Sequence, residues 1–246
     1  MNSIISQWKA DLLRTVRDRR FLLISLIMPV TFYLIFIHDG KAAIAGTDWG
    51  AYFMVSMASF GVVGAAVNTL GVRLSAERQG GWVRWLRTTP LSAVGYALVK
   101  VATQLLISLI IVLVVFLAAH VDQAVTLSTG RWAVLLAWLW IGSVPFAALG
   151  VLIGLAKTSA QVLGTLAFVG LSLLGGLLTP VQSLSPTMRT LAYWMPTYRY
   201  ADPAWNLLAG RSLGLSNMAY LVGYTVIFLA AAAFVQQHLD SHPNAN

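Results

Sequence analysis

The chain has 246 residues, 58% of them hydrophobic and 10% charged, with a formal net charge of +8 and a mean hydropathy of +0.76. Such a composition excludes an ordinary soluble domain, and the absence of cysteine excludes disulfides and thiolate metal sites. The positive charge sits at the ends of apolar runs, so membrane topology accounts for it better than nucleic-acid binding does.

Residues 1–20 carry Ile4, Ile5, Trp8, Leu12 and Val16 at helical spacing, with Lys9, Asp11, Arg14, Arg17 and Asp18 elsewhere around the helix. That pattern predicts an amphipathic helix lying at a membrane interface, its basic side toward anionic headgroups. An ordinary positive anchor before a first span explains the arginines equally well but not the apolar stripe. A secretory signal is the weaker reading of this region, because His38, Asp39 and Lys41 separate the first apolar run from the cleavage-like Ala43-Ile44-Ala45.

Six uncharged runs follow, at 21–37, 51–72, 101–119, 132–156, 160–179 and 217–235, of about the length a spanning helix requires. They predict an all-α polytopic membrane protein whose single transmembrane domain covers 1–246. With six spans both termini share a side. If that side is cytoplasmic it holds Lys9, Arg14, Arg17, Arg19, Arg20, Arg73, Arg78, Arg84, Arg87, Lys100 and Lys157, against Lys41, Arg131, Arg189, Arg199 and Arg211 outside. The excess of 11 over 5 favours cytoplasmic termini in a bacterial cytoplasmic membrane.

Between the second and third runs lies SAERQGGWVRWLRTTPLS, residues 75–92. After Gly80-Gly81, Trp82, Trp85 and Leu86 share one face of a short helix, with Arg84 and Arg87 elsewhere, and Pro90 ends the element by disfavouring helix at Thr89. An aromatic face edged by arginine suits a groove in a protein partner. Tryptophans at headgroup level beside topology-setting arginines are the competing reading, and the residues alone leave both open. Glu77 and Arg78, one turn earlier, are placed to pair with each other or across an interface.

Between 180 and 216, Pro180, Pro186, Pro196 and Pro203 interrupt any single spanning helix. Two short amphipathic helices at the outer face, dipping into the bilayer, are expected. The alternative is a loop held at the surface by Tyr193, Trp194, Tyr198, Tyr200 and Trp205.

The six runs contain no Asp, Glu, Arg or His, and Lys100 lies at an end from which it can snorkel. Ion-driven transport and intramembrane catalysis therefore lack their usual groups. No GxxxxGK[ST] loop exists either; the nearest fragment, Gly150 to Thr158, has the wrong spacing. Energy for any transport must come from a separate chain.

Glu77-Arg78, Gly80 or Gly81, Leu86-Arg87 and Thr89-Pro90-Leu91-Ser92 between runs two and three resemble the loop of ABC-2 type permeases, the membrane subunits of bacterial ABC exporters. Gly175-Gly176 before Pro180, then Leu184, Pro186, Leu191, Pro196 and Arg199, resemble that family's fifth-span exit and outer re-entrant region. The resemblance covers nearly the whole chain. It implies a non-catalytic permease that pairs with a second permease, as a homodimer or heterodimer, and with two ATP-binding subunits. ATP and Mg would be bound by those partners, with no cofactor in this chain. Residues 75–92 would be the coupling element, with Glu77, Arg78, Trp82, Arg84, Trp85, Arg87 and Thr89 contacting or orienting the ATPase. The loop resembles the drug-export branch, which implies efflux of an amphipathic drug, antibiotic or lipid.

Small residues mark where helices approach closely: Gly61, Gly64, Asn68 and Gly71; Ser143, Ala147, Gly150 and Gly154; Thr165, Ser172, Gly176 and Thr179. Helix packing explains such stripes. Asn68, whose amide needs a partner inside a membrane, is also a candidate for the substrate pathway, together with Thr165, Ser172, Phe146 and Phe168. A secondary exporter and a non-transporting scaffold or immunity protein are the rival classes.

Overall fold

A computed structural model describes residues 2–18, 22–37, 43–44, 46–81, 93–122, 125–156 and 159–241. Among these, regular structure is helical. Helix α1 is Asn2–Arg17. Helix α2 starts as a π-helical turn, Leu22–Ile27, and continues as Met28–Phe36. Helix α3 is Trp49–Gln79, α4 is Ala93–Val121 and α5 is Thr129–Ile153. Helix α6 is Ala160–Leu174, α7 is Pro186–Ala192, α8 is Pro196–Leu208 and α9 is Leu215–Ser241.

Four helices, over Trp49–Gln79, Leu98–Val121, Thr129–Ile153 and Ser216–Leu239, are long and apolar enough to cross a membrane; Ser25–Phe36 and Ala160–Leu174 are apolar but shorter. Leu113 and Leu117 on α4, Val162 and Leu166 on α6, and Val226 and Phe234 on α9 are exposed. Exposed leucine and valine on that scale fit a lipid solvent and no aqueous one.

Helix α3 is the axis of the bundle: every residue from Trp49 to Val67 is buried, which its uniformly apolar surface allows. Helices α2, α4, α5, α6 and α8 pack around it. At 31 residues it is roughly 45 Å long, well beyond a hydrocarbon core of about 30 Å, so its last turns carry residues 73–79 past the apolar layer. Its middle, Gly64–Leu70, is a π-helical segment containing Asn68, a local irregularity often found where a helix does more than pack.

Helix α5 breaks where the sequence predicts an unbroken run. Gly142 and Ser143 form a turn before Val144–Ile153. Pro145 cannot donate into the preceding turn, and the Ser143 hydroxyl satisfies the Trp140 carbonyl instead, at 2.6 Å. Beyond the break, Gly150 lies against α3 so closely that a Cβ there would sit 2.1 Å from the Ala66 carbonyl oxygen.

Helix α6 stops at Leu174, five residues before the end of the predicted run. Gly176 turns the chain at φ +81°, and a Cβ on Gly175 would sit 1.9 Å from the Thr197 hydroxyl. The two short helices expected between 180 and 216 are α7 and α8. Pro186 and Pro196 start them rather than ending them, because a missing N–H costs nothing in a first turn. Helix α8 buries Tyr200, Ala201, Ala204 and Trp205. The Trp205 ring stacks 4.6 Å from Tyr52; the Tyr200 hydroxyl donates to the Leu139 carbonyl at 2.6 Å and the Trp138 indole to the Tyr200 carbonyl at 2.8 Å. Its backbone is thus enclosed by protein, as non-spanning structure at membrane depth must be.

Candidate functional site

Polar side chains line the facing sides of α3 and α4 at intervals of four. On α3 these are Thr69, Arg73 and Glu77; on α4 they are Tyr96, Lys100, Gln104 and Ser108. Helical geometry puts each set on one face, and residues 82–92 join the ends of the two helices. The stripes begin in the apolar part of the bundle, where the Ser25 and Thr69 hydroxyls lie 3.4 Å apart and Gln104 Nε2 donates to Ser108 Oγ at 3.4 Å. They end in a cluster of charge at the loop end.

Lys100 is the centre of that cluster. Its Nζ pairs with Asp11 Oδ1 and, at 2.7 Å, with Glu77 Oε1, and the residue is only 2% exposed. Asp11 is 3% exposed although it belongs to α1, and it also takes Arg73 Nη2 at 3.5 Å. Arg73 Nη1 donates to the Thr15 hydroxyl, which in turn donates to the Asp11 carbonyl at 2.8 Å. The Tyr96 hydroxyl donates to Glu77 Oε2. Burial first, and the Glu77 carboxylate second, push the Tyr96 phenol well above its usual range, so it stays a donor. Two cations and two carboxylates balance, which is the condition for keeping such groups out of water.

This cluster overturns one expectation and revises another. Lys100 does not snorkel, because two carboxylates meet it inside the protein. Helix α1 is turned so that Asp11 and Thr15 face the bundle while Ile5, Leu13 and Val16 are exposed; Trp8 and Leu12 lie half-buried beside that contact. The pull of Lys100 and Arg73 on Asp11 sets the rotation. Lys9, Arg14 and Arg17 remain exposed.

Of the residues expected to serve the ATPase, Glu77 is in the cluster, and Arg78 Nη2 donates to Gln236 Oε1 on α9. Trp82, Arg84, Trp85, Arg87 and Thr89 lie outside the described residues. Of the pathway candidates, Asn68 Oδ1 accepts from the exposed Thr165 hydroxyl at 3.5 Å, joining α3 to α6. Phe168 is buried against Phe60, 4.7 Å between ring centroids, and over Gly64, where a Cβ would sit 3.0 Å from its ring. Phe146 is fully buried, edge-on to Tyr200 at 5.2 Å, and Ser172 is fully buried. The small-residue stripes therefore serve close helix packing over much of their length. Asp11, Arg73, Tyr96 and Lys100 were not singled out as a site by the sequence; their four-residue spacing on α3 and α4 is the signal that marks them.

At the opposite end of the bundle a cavity of about 460 Å³ is lined by Phe32, Phe36, Trp49, Phe53, Leu178 and Thr179, among others. Nearby, Asp202 on α8 accepts from the Tyr198 hydroxyl at 3.0 Å, Asn206 Nδ2 at 3.0 Å and Asn217 Nδ2 at 3.4 Å, so that this carboxylate is held by α8 and α9 together.

Apolar helices exposed to lipid, a fully enclosed central helix and short helices folded into one end define a multi-pass membrane protein. Residues 41–234 match the family model described as ABC-2 family transporter protein. Over 244 residues, 98% of this chain and 100% of the relative, the sequence is 31% identical to "Putative transport permease YvfS" of Bacillus subtilis (strain 168). The chain belongs to the ABC-2 transporter family. Permeases of this family work with an ATP-binding subunit.

Proposed function

We propose that this chain is the permease subunit of an ATP-driven exporter, crossing the cytoplasmic membrane six times with both termini inside and working as a dimer with two ATP-binding subunits. The observation that supports it best is the ion-pair cluster at the loop end, where α1, α3 and α4 meet beneath residues 82–92. ATP and Mg belong to the partner, whose hydrolysis is read by the loop through Trp82, Arg84, Trp85, Arg87 and Thr89. Helices α2 and α6 complete the six spans, their short apolar lengths extended by the residues that flank them.

The proposed substrate is an amphipathic drug, antibiotic or lipid. A cavity of about 460 Å³ walled by four aromatic rings is of ligand size and supports an apolar moiety, with the Thr179 and Ser183 hydroxyls at its edge for a polar one. The Asn68 to Thr165 contact lies at the α3–α6 seam, where a pathway between two copies would run.

Orientation is tested in the natural cysteine-free background. Gln79→Cys is expected to be shielded from a membrane-impermeant maleimide added to intact cells, and Tyr193→Cys to be labelled; the reverse pattern would invert the topology. Function is tested by co-expression with an ATP-binding subunit encoded beside this chain. Co-purification as a complex with vanadate-sensitive ATP hydrolysis is expected. A chain that purifies alone and exports a fluorescent amphipathic dye on a proton gradient without ATP would be a secondary exporter.

A further inference from the structure

We propose that Lys100 is a positioning residue that clamps α1 to the bases of α3 and α4, so that the amino-terminal helix moves as one body with the loop at residues 82–92 and is part of the energy-coupling apparatus. The inference rests on the reading of this chain as an ATP-driven permease and adds a moving part to it.

The geometry carries it in three steps. Lys100 Nζ holds carboxylates from two different helices, Asp11 on α1 and Glu77 on α3, while itself belonging to α4. Arg73 on α3 makes a second link to α1, through Asp11 and the Thr15 hydroxyl. Tyr96, one turn before Lys100, closes the ring onto Glu77. Each helix is thus tied to both others by charge, inside the protein, where the attraction is weakly screened. Glu77, as a consequence, is committed inward and orients the loop rather than touching the ATPase. The two chain segments that enter and leave 82–92 cannot shift relative to α1 without separating buried opposite charges.

Helix α1 also carries the exposed Leu13 and Val16 beside Arg14 and Arg17, an apolar and basic surface suited to an interface. A loop movement transmitted through Lys100 would therefore be felt at the membrane surface as a displacement of that helix, as a shear of packed elements.

The test uses spin labels at Leu13→Cys and Gln79→Cys, both exposed, in the full complex, with pulsed distance measurements in nucleotide-free and ADP-vanadate-trapped states. The proposal expects one narrow 13–79 distance, the same in both states. In the neutralised variant Asp11→Asn/Lys100→Met/Glu77→Gln, the distribution should broaden or shift on trapping, and export per ATP should fall about tenfold, within the usual range of coupling between sites. Lys100→Arg should restore both readouts in large part. A 13–79 distance that changes on trapping in the unmodified charge set overturns the proposal, as does a neutralised variant that couples normally. Should no ATP-binding subunit assemble, the functional reading fails separately. The clamp is then read in the permease alone, where a 13–79 distribution unchanged by neutralisation overturns it and a broadened one supports it.

Discussion

Trp85→Ala combined with Arg87→Ala is expected to uncouple ATP hydrolysis from export while leaving a folded permease. Helices α3 and α4 hold the ends of the loop through buried ion pairs that neither substitution touches, so thermal stability should be unchanged. What is lost is the aromatic and cationic anchor. Truncating such a residue at the centre of an interface costs about 2 kcal/mol, roughly a 30-fold weakening of the ATPase contact, and more for the pair. The measurement is affinity for the ATP-binding subunit in detergent, beside export in proteoliposomes. If both tryptophans only sit among headgroups, detergent affinity and export will both match the unmodified chain.

Lys100→Met should be the most damaging single change to stability. It removes the one cation that Asp11 and Glu77 share and leaves two carboxylates in a site whose lysine is 3% exposed on its side chain. Breaking a buried pair in this way costs about 3–5 kcal/mol. The neutralised triple variant Asp11→Asn/Lys100→Met/Glu77→Gln should recover most of that loss, because no unpaired carboxylate remains, while Arg73, 21% exposed, retains access to solvent. Thermal unfolding in one detergent compares the three proteins. A Lys100→Met protein as stable as the parent would mean that the ammonium reaches the headgroups and that the cluster contributes nothing.

Apolar runs without charge were readable because a membrane imposes length and composition on its helices directly. The breaks were not. Gly142 and Ser143 are small and unremarkable in an apolar context, and only Pro145 hinted that the helix turns there. Helix α6 looked longer than it is because Leu177 and Leu178 continue its apolar character past the glycines that end it. The charge cluster escaped for a different reason. Thr69 and Arg73 sit at the end of one apolar run, Glu77 in the segment after it, and Lys100 just before another, so their common face crosses the boundaries by which a membrane sequence is divided. Asp11 was taken for the solvent side of an amphipathic helix; it is the buried side, because a cation from another helix waits for it. A helix buried all round, such as α3, offers no amphipathic signal to place Asn68 on any particular face.

The central claim is that residues 82–92 are where an ATP-binding subunit attaches. The most direct measurement is photo-crosslinking from a benzophenone side chain at position 85, with position 193 as the control at the far end of the bundle. The account predicts an adduct between permease and ATP-binding subunit from position 85 and none from 193. An intact complex that crosslinks from 193, or that gives no adduct from 85 or any other position in 82–92, would contradict it.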